Sequence, residues 1–392
     1  MQRISPTFAE LERRIAPHLR AYVDALRLDM HGRELAMTAD SNPAINVTNV
    51  DVFTLALAGG APRNLSADNP GSDGSPLYSP DGKHLAFVQQ RVPGFYDAKA
   101  RLMVHSRGRA TRELHADWDR SAAGLVWARD SRRLYGAIDD AGTVRAYELP
   151  LSGKARAITG AGSFNALQAG PAGLVGLRQT FVEPPTLVAI DPRSGKARKL
   201  STLNDELLAG TDFGTYESVT YRGANGADIQ MWVNYPPGFD KTKKYPFFML
   251  IHGGPHNATT DGMSFRWNAQ VFGSWGYVTA WPNFHGSSGF GEAFSDSINP
   301  EWAEKPYQDV IKAAEWFKAQ PWIDPERMVA GGGSLGASSA VSDAQGRARV
   351  VYTVGATASN SNYIRAEVAG LKPTMINVTA SNPTRLNLSP NP

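Results

Sequence analysis

Met328-Val329-Ala330-Gly331-Gly332-Gly333-Ser334-Leu335-Gly336 is a short apolar run that ends in glycines around a single serine. It reads as strand, sharp turn and helix. Gly332, Ser334 and Gly336 fit the G-x-S-x-G pattern, in which small flanking residues permit the strained turn that lifts a serine Oγ clear of a sheet. A hydroxyl is a weak nucleophile until a base takes its proton. Here all eight histidines (His18, His31, His84, His105, His115, His252, His256 and His285) precede Ser334, whereas this turn in its usual setting is followed by an acid and then a histidine. Asp343 and Glu367 are the acidic residues after Ser334, and Asp343 falls in the Ala/Ser-rich helix expected directly behind the turn.

Working upstream, Phe247-Phe248-Met249-Leu250-Ile251 and Tyr277-Val278-Thr279-Ala280-Trp281 are continuous apolar runs suited to strands buried on both faces. Tyr307, Val310, Ile311, Ala314 and Phe317 mark one face of a helix, and Asp324-Pro325 is read as the turn into the strand of the serine. A hairpin over Glu217 to Tyr235 is expected around Asn225-Gly226, a strong two-residue turn signal. Strands alternating with helices imply a mostly parallel sheet, so residues 213–345 are assigned to the amino-terminal part of an α/β-hydrolase domain. The tetrahedral intermediate of acyl transfer needs hydrogen-bond donors for its oxyanion, one normally being the backbone N–H after the nucleophile. That places Leu335 beside Ser334, and His252-Gly253, in the loop after an earlier strand, as the second source. Taken alone, His252-Gly253-Gly254-Pro255 is read equally well as a tight turn with a packed histidine.

Residues 45 to 210 have a different texture. Four segments, Val52 to Leu65, Leu102 to Leu114, Ala146 to Ile158 and Leu187 to Leu200, each run from a strand through a glycine-bearing turn to a basic stretch closing on an aliphatic. Their closing residues are 49, 44 and 42 positions apart, a spacing of propeller blades. A second marker recurs inside them: Tyr78-Ser79-Pro80-Asp81-Gly82 and Trp127-Ala128-Arg129-Asp130-Ser131 each place an aromatic and a polar turn before a hydrophobic strand. The expectation is a partial β-propeller over residues 29–212, since closed rings use about four to eight blades. Residues 1–28 carry apolar side chains at steps of three and four through Phe8, Leu11, Ile15, Leu19, Tyr22 and Leu26 and read as an amphipathic leader helix. Residues 346–392, rich in Ser, Thr, Asn and Ala, read as a poorly ordered tail in which Val350 to Val354 is strand-like.

Composition narrows the function classes. A net charge of +3 spread over 392 residues gives no electrostatic footprint for nucleic acid or anionic membrane. With no cysteine, disulfides, thiolate metal sites and a cysteine nucleophile are excluded. No metal spacing, phosphate loop or dinucleotide fingerprint occurs, so no cofactor is expected. No run approaches the roughly 18 apolar residues of a membrane span, and no signal-peptide core is visible; a cytoplasmic location is the expectation.

Several motifs in order give the chain a more specific likeness: His252-Gly253-Gly254-Pro255, Phe265-Arg266-Trp267-Asn268, Gly276-Tyr277-Val278, and Asn283 through Glu292. Trp302, Lys305-Pro306-Tyr307-Gln308-Asp309, Ile323-Asp324-Pro325-Glu326-Arg327 and the turn at Ser334 follow. Over roughly residues 30 to 340 the chain resembles the prolyl oligopeptidase family, in its acylaminoacyl-peptidase and dipeptidyl-peptidase V-like branch. The resemblance implies a β-propeller beside an α/β-hydrolase domain and a serine peptidase that acts on short peptides or acyl-peptides through an acyl-enzyme at Ser334. Two departures are plain. Ser334-Leu335-Gly336-Ala337 replaces the family's Ser-Tyr-Gly-Gly, and His285 stands where its Arg-Gly-Ser motif has arginine. After about residue 337 the likeness stops, so a truncated or frame-shifted product is expected, with weak or no hydrolysis because no histidine follows Ser334. The competing readings are a non-catalytic binding protein that uses the propeller, and a carboxylesterase, which leaves the repeats unexplained.

Overall fold

The computed structural model describes residues 23–29, 33–41, 49–299 and 301–332, together with strands at 362–366, 374–380 and 386–390. The chain divides into two compact units. One comprises residues 1–211 with 260–263 and 288–295; the other comprises 212–259, 264–287 and 296–392.

The first unit contains four successive antiparallel sheets of four strands each. The first holds β1 (Val23–Leu28), β2 (Glu34–Asp40), β3 (Val50–Ala56) and β4 (Arg63–Asn64). The second holds β5 (Asp73–Tyr78), β6 (His84–Gln89), β7 (Arg101–Ser106) and β8 (Arg112–Leu114). The third holds β9 (Val126–Trp127), β10 (Arg133–Asp140), β11 (Thr143–Pro150) and β12 (Arg156–Ala157). The fourth holds β13 (Ser163–Gly170), β14 (Gly173–Thr180), β15 (Glu183–Ile190) and β16 (Ala197–Lys199), and a four-residue helix, α1 (Asp205–Leu208), follows it. Every strand pairs with its sequence neighbour. The repeat read from the sequence is the third and fourth strand of each sheet, with Leu65, Leu114, Ile158 and Leu200 closing the fourth strand or standing one residue beyond it.

Alternation along a strand sends neighbouring side chains to opposite faces, and here both faces are used. On β6, Leu85 and Phe87 pack with Ala36 and Val52 of the first sheet, while Ala86 packs with Leu134 and Ile138 of the third. On β11, Tyr147 and Leu149 turn to the second sheet and Ala146 turns to Phe164, Leu174 and Val188 of the fourth. The aromatic markers touch each other across the sheets. Trp127 Nε1 donates to the Leu77 carbonyl at 2.9 Å, the Asp81 N–H donates to Ser131 Oγ at 3.0 Å, and His84 stacks on Trp127.

Two segments from later in the chain belong to this unit through polar contacts. The turn after β10 is gripped on both sides: the Ala141 N–H donates to the Gly289 carbonyl, and the Asp261 N–H donates to that of Gly142. Buried Asp261 accepts from Ser163 Oγ at 2.6 Å and from the Gly162 N–H at 3.0 Å. Arg101 donates to both oxygens of Glu292 at 2.9 and 3.0 Å.

In the second unit, five strands lie in the order β17-β18-β20-β19-β21: β17 (Tyr216–Arg222), β18 (Asp228–Asn234), β19 (Tyr245–Leu250), β20 (Val278–Pro282) and β21 (Ile323–Gly331). The first two junctions are antiparallel, and β20, β19 and β21 are mutually parallel. Its helices are α2 (Ala269–Ser274) and α4 (Glu304–Lys318), while the short α3 (Glu292–Asp296) lies in the first unit except for its last residue. The β17–β18 hairpin turns at Asn225 and Gly226, both at positive φ (53° and 74°), as the two-residue turn requires. Phe317 of α4 stacks on Phe247 of β19 with ring centroids 4.0 Å apart.

Four expectations need correction. Val23–Leu28, assigned to the leader helix, is strand β1, paired with β2. Backbone pairing along an otherwise open edge outweighs a weak helical pattern, and Leu26-Arg27-Leu28 fits a period of two as well. Residues 1–22 lie outside the described residues. Asp324-Pro325 is not a turn but part of β21; proline is tolerated because β21 is the last strand in the described sheet order. Tyr307, placed on the buried face of α4, is 45% exposed; that face is Pro306, Asp309, Val310, Ala313, Ala314 and Phe317. In the tail, β22 (Asn362–Ala366), β23 (Thr374–Ala380) and β24 (Leu386–Pro390) pair antiparallel, consistent with the β-branched Thr374, Ile376 and Val378 at alternate positions. Val350 to Val354 lies outside the described residues.

Asp73, at the start of β5, is 3% exposed. Burial raises its carboxyl to about 6 against the hydrogen bonding of Asn69, Gln89 and Ser66, and neighbouring Asp51 adds repulsion. A folded-state value above the unfolded one means that the native protein holds the extra proton, so this group's contribution falls as pH rises from about 4 to about 6. Asp73→Asn should therefore stabilise the protein at pH 7.5 by about 2 to 3 kcal/mol and have little effect at pH 4. Thermal melts of both proteins at the two pH values check this; an equal shift at both would contradict it.

Candidate active site

The site is built on two parallel neighbours. Met249 and Leu250 of β19 pair with Ala330 and Gly331 of β21, and the Ile251 N–H donates to the Gly331 carbonyl at 2.9 Å. The loop beginning at His252 and the chain beginning at Gly332 thus leave adjacent strands at the same end. Carboxyl ends of parallel strands are where open α/β sheets place their ligands. Of the four residues chosen from the sequence, His252 and Gly253 stand at this end. Ser334 and Leu335 lie outside the described residues.

His252 is held from three sides. Its ring stacks on Phe284 with centroids 4.1 Å apart and planes 11° from parallel. Nε2 lies 3.0 Å from Ser287 Oγ, and Nδ1 lies 3.1 Å from its neighbour's carbonyl, Gly253 O. The residue keeps part of its surface open, but the surrounding protein mass dominates and burial lowers the imidazolium to about 4. The ring is therefore neutral near pH 7 and carries one proton. Gly253 O can only accept, so the neutral ring meets both neighbours with its proton on Nδ1, directed at Gly253 O, and the Ser287 hydroxyl donating to Nε2; with the proton on Nε2 instead, the Ser287 hydroxyl keeps the Phe284 carbonyl 2.7 Å away and the Gly253 contact is lost. Donation from both ring nitrogens at once requires the charged ring.

The loop carrying Phe284 and Ser287 is itself anchored. Asn283 donates to Gln230 Oε1 at 2.6 Å and to Thr259 O at 3.0 Å, and accepts from the Thr259 N–H at 2.7 Å. Asp309, fully buried on α4, accepts from the His285 N–H at 2.8 Å, from His285 Nδ1 at 2.6 Å and from the Ala224 N–H at 2.7 Å. Its carbonyl accepts the Tyr221 hydroxyl at 2.9 Å. Gly286 adopts φ 93°, and a Cβ there would sit 2.2 Å from the Ile298 side chain, so only glycine permits the turn.

His285 and Asp309 have the Nδ1-to-carboxylate geometry of a catalytic dyad, but their contacts bind the hairpin turn, α4 and the loop to one another. His256 is buried with its ring edge-on to Trp302. Neither was singled out from sequence as part of the site, and Asp309 and Ser287 were noticed only within longer motifs. The signal for Asp309 was an acidic residue three positions from Pro306 and eight before Phe317, on the face that α4 buries. Among the described residues no group of three or more metal-ligating side chains occurs, and no helix is long and apolar enough to cross a membrane.

The lowered value of His252 has a consequence for stability. A base with a folded-state value of about 4 and an unfolded value of 6.5 contributes fully above pH 6.5, and its contribution is lost as pH falls towards 4. Between pH 7 and pH 5 this one group should remove about 2 kcal/mol. His252→Gln should lose correspondingly less stability across that interval, as measured by urea unfolding at the two pH values; identical pH profiles for both proteins would contradict the assignment.

Residues 263–361 match the model of the prolyl oligopeptidase family, so the likeness runs beyond residue 345, where the hydrolase segment was expected to end. Dipeptidyl-peptidase 5 of Aspergillus fumigatus is 33% identical over 287 residues, which is 71% of this chain and 39% of that protein. The chain thus spans about two fifths of the length of this curated relative. Acylaminoacyl peptidase of Pyrococcus horikoshii superposes with a TM-score of 0.66 at 19% identity, over 80% of this chain and 48% of that one. An acylaminoacyl peptidase in complex with Z-Gly-Gly-Phe-chloromethyl ketone gives 0.67 at 19% identity, with the same coverage. Over the residues that it shares with these proteins, the chain belongs to the prolyl oligopeptidase family.

Proposed function

We propose that this chain carries the nucleophile-bearing part of a serine peptidase active centre, and that its four meander sheets are blades of a partial β-propeller accompanying part of an α/β-hydrolase domain. In this reading Ser334 forms the acyl-enzyme. The Leu335 N–H and the His252-Gly253 loop supply the oxyanion donors, and the substrates are short peptides or acyl-peptides. The observation that carries it is the pairing of β19 with β21. Leu250 lies opposite Gly331, so the His252 loop and the chain entering Gly332 leave adjacent strands, which supports the convergence that oxyanion donors require. The inhibitor-bound relative carries a peptide chloromethyl ketone, and the related fungal protein is named a dipeptidyl-peptidase; both favour peptides as the substrate class.

Every histidine in these 392 residues precedes Ser334, and His285 is committed to Asp309. Taken by themselves, these 392 residues are proposed to be a weak hydrolase, retaining at most the roughly 10³- to 10⁴-fold acceleration over water that survives loss of triad members in serine proteases. A fluorophosphonate probe should label Ser334 at a slow but measurable rate, and Ser334→Ala should barely alter turnover of aminoacyl and acyl-peptide substrates. Rapid stoichiometric labelling that Ser334→Ala abolishes would show a base acting from upstream and overturn the weak-hydrolase reading. Tight binding of peptides without any labelling would favour the binding-protein alternative.

A further inference from the structure

We infer that the buried Asp309–His285 pair is the positioning element of the His252-Gly253 loop, an inference that rests on the oxyanion role proposed for that loop. The groups that orient the His252 ring, Phe284 against its face and Ser287 at Nε2, flank His285 in the sequence at one and two residues' distance. Asp309 grips His285 twice through one carboxylate oxygen, Oδ2, which accepts from the backbone N–H at 2.8 Å and from Nδ1 at 2.6 Å. Holding both the main chain and the side chain of one residue fixes where that residue lies and how its ring is turned. The other oxygen is fixed by the Ala224 N–H at 2.7 Å, so the carboxylate cannot rotate without losing a partner. α4 supplies the rigid mount, with Val310, Ala313 and Phe317 buried beside Asp309.

The consequence is a relay of geometry: α4 sets Asp309, Asp309 sets His285, and His285 sets the Phe284 ring and the Ser287 hydroxyl. These two then fix His252 and, through it, the first residues of the loop. Placement at this level matters because a displacement of about 1 Å in a reacting constellation costs on the order of 100-fold in rate. His285 occupies the place where the resembled family has arginine, and an arginine could offer Asp309 two N–H groups in a fixed fork.

The experiment is NMR of the full chain with ¹⁵N-labelled histidine, the His252 ring signals being identified by their loss in His252→Gln. In the wild type these signals should show a single fixed tautomer. In Asp309→Asn, and equally in His285→Ala, they should move to the averaged values of a free imidazole, and the titration midpoint should rise from about 4 towards the ordinary 6.5. His285→Arg should return them to their wild-type positions. His285→Ala leaves the Ala224 and Tyr221 contacts of Asp309 in place, so it decides the matter if Asp309→Asn does not fold. Unchanged His252 signals in folded His285→Ala, with only a lower melting temperature, would overturn the inference and reduce the pair to structural glue. Labelling of Ser334 by a fluorophosphonate should fall about tenfold in His285→Ala. If the NMR signals move while the labelling rate stays at the wild-type value, positioning stands and the oxyanion role of the loop is what fails.

Discussion

The second unit is organised around one buried anion. A carboxylate with no exposed surface costs several kcal/mol to desolvate, and that cost is recovered only where its oxygens are hydrogen-bonded in good geometry. Asp309 meets the condition with three N–H donors from two separate parts of the chain, the turn of the β17–β18 hairpin and the loop after β20. An apolar contact in the same place would glue these parts together in many registers. Three directed hydrogen bonds accept only one. The neighbouring sequence pays for this arrangement in glycine: a Cβ on Gly223 would sit 2.3 Å from Asp309 Oδ1.

The first unit solves a different problem with less specific means. Each meander sheet is a thin layer with two apolar faces, and stacking the sheets in sequence order buries both faces of the inner members. Because dispersion and desolvation are non-directional, register within the stack must come from elsewhere. It comes from the polar contacts at the sheet ends, where Trp127 reaches the Leu77 carbonyl and Ser131 receives the Asp81 N–H. The repeated aromatic-turn-strand marker is therefore an adhesive between successive repeats, which explains why it recurs at the repeat spacing.

What the sequence made legible follows from these same forces. The third and fourth strands of each meander were visible because a strand, a glycine-bearing turn and a basic stretch closing on an aliphatic recur there at the repeat spacing. The first strands were not. β5 reads Asp-Gly-Ser-Pro-Leu-Tyr, with a register shift between Gly74 and Leu77 around Ser75 at φ 54°, and β13 shifts between Asn165 and Gln168 around Ala166 at φ 52°. A bulge inserts a residue and breaks the period of two on which recognition of a strand depends. β9 spans two residues, too short to have any period. At the site, the strand and the His252 loop were legible as local patterns. Asp309 was not, because reading a helix by its apolar face discards an acidic residue on that face and accepts Tyr307, whose ring meets solvent. The partners that make a buried acid tolerable are 24 and 85 residues away in the chain.

The protonation state of His252 bears on how an oxyanion could be held at this end of the sheet. A cationic imidazole would add a full charge at this end of the sheet. Burial forbids that state near neutral pH, so the ring serves by shape and by a single directed N–H. Its one proton is spent within the loop, on Gly253 O or on Ser287 Oγ, and the Ser287 hydroxyl is spent in turn on Nε2 or on the Phe284 carbonyl. The chain of donors therefore ends on a backbone acceptor and offers nothing to a substrate. In the proposed role, stabilisation of developing negative charge falls to backbone N–H dipoles, which need no reorganisation during the reaction. The work of His252 is then to keep the loop bearing those dipoles still, which is why a buried carboxylate on α4 matters to a loop it does not touch.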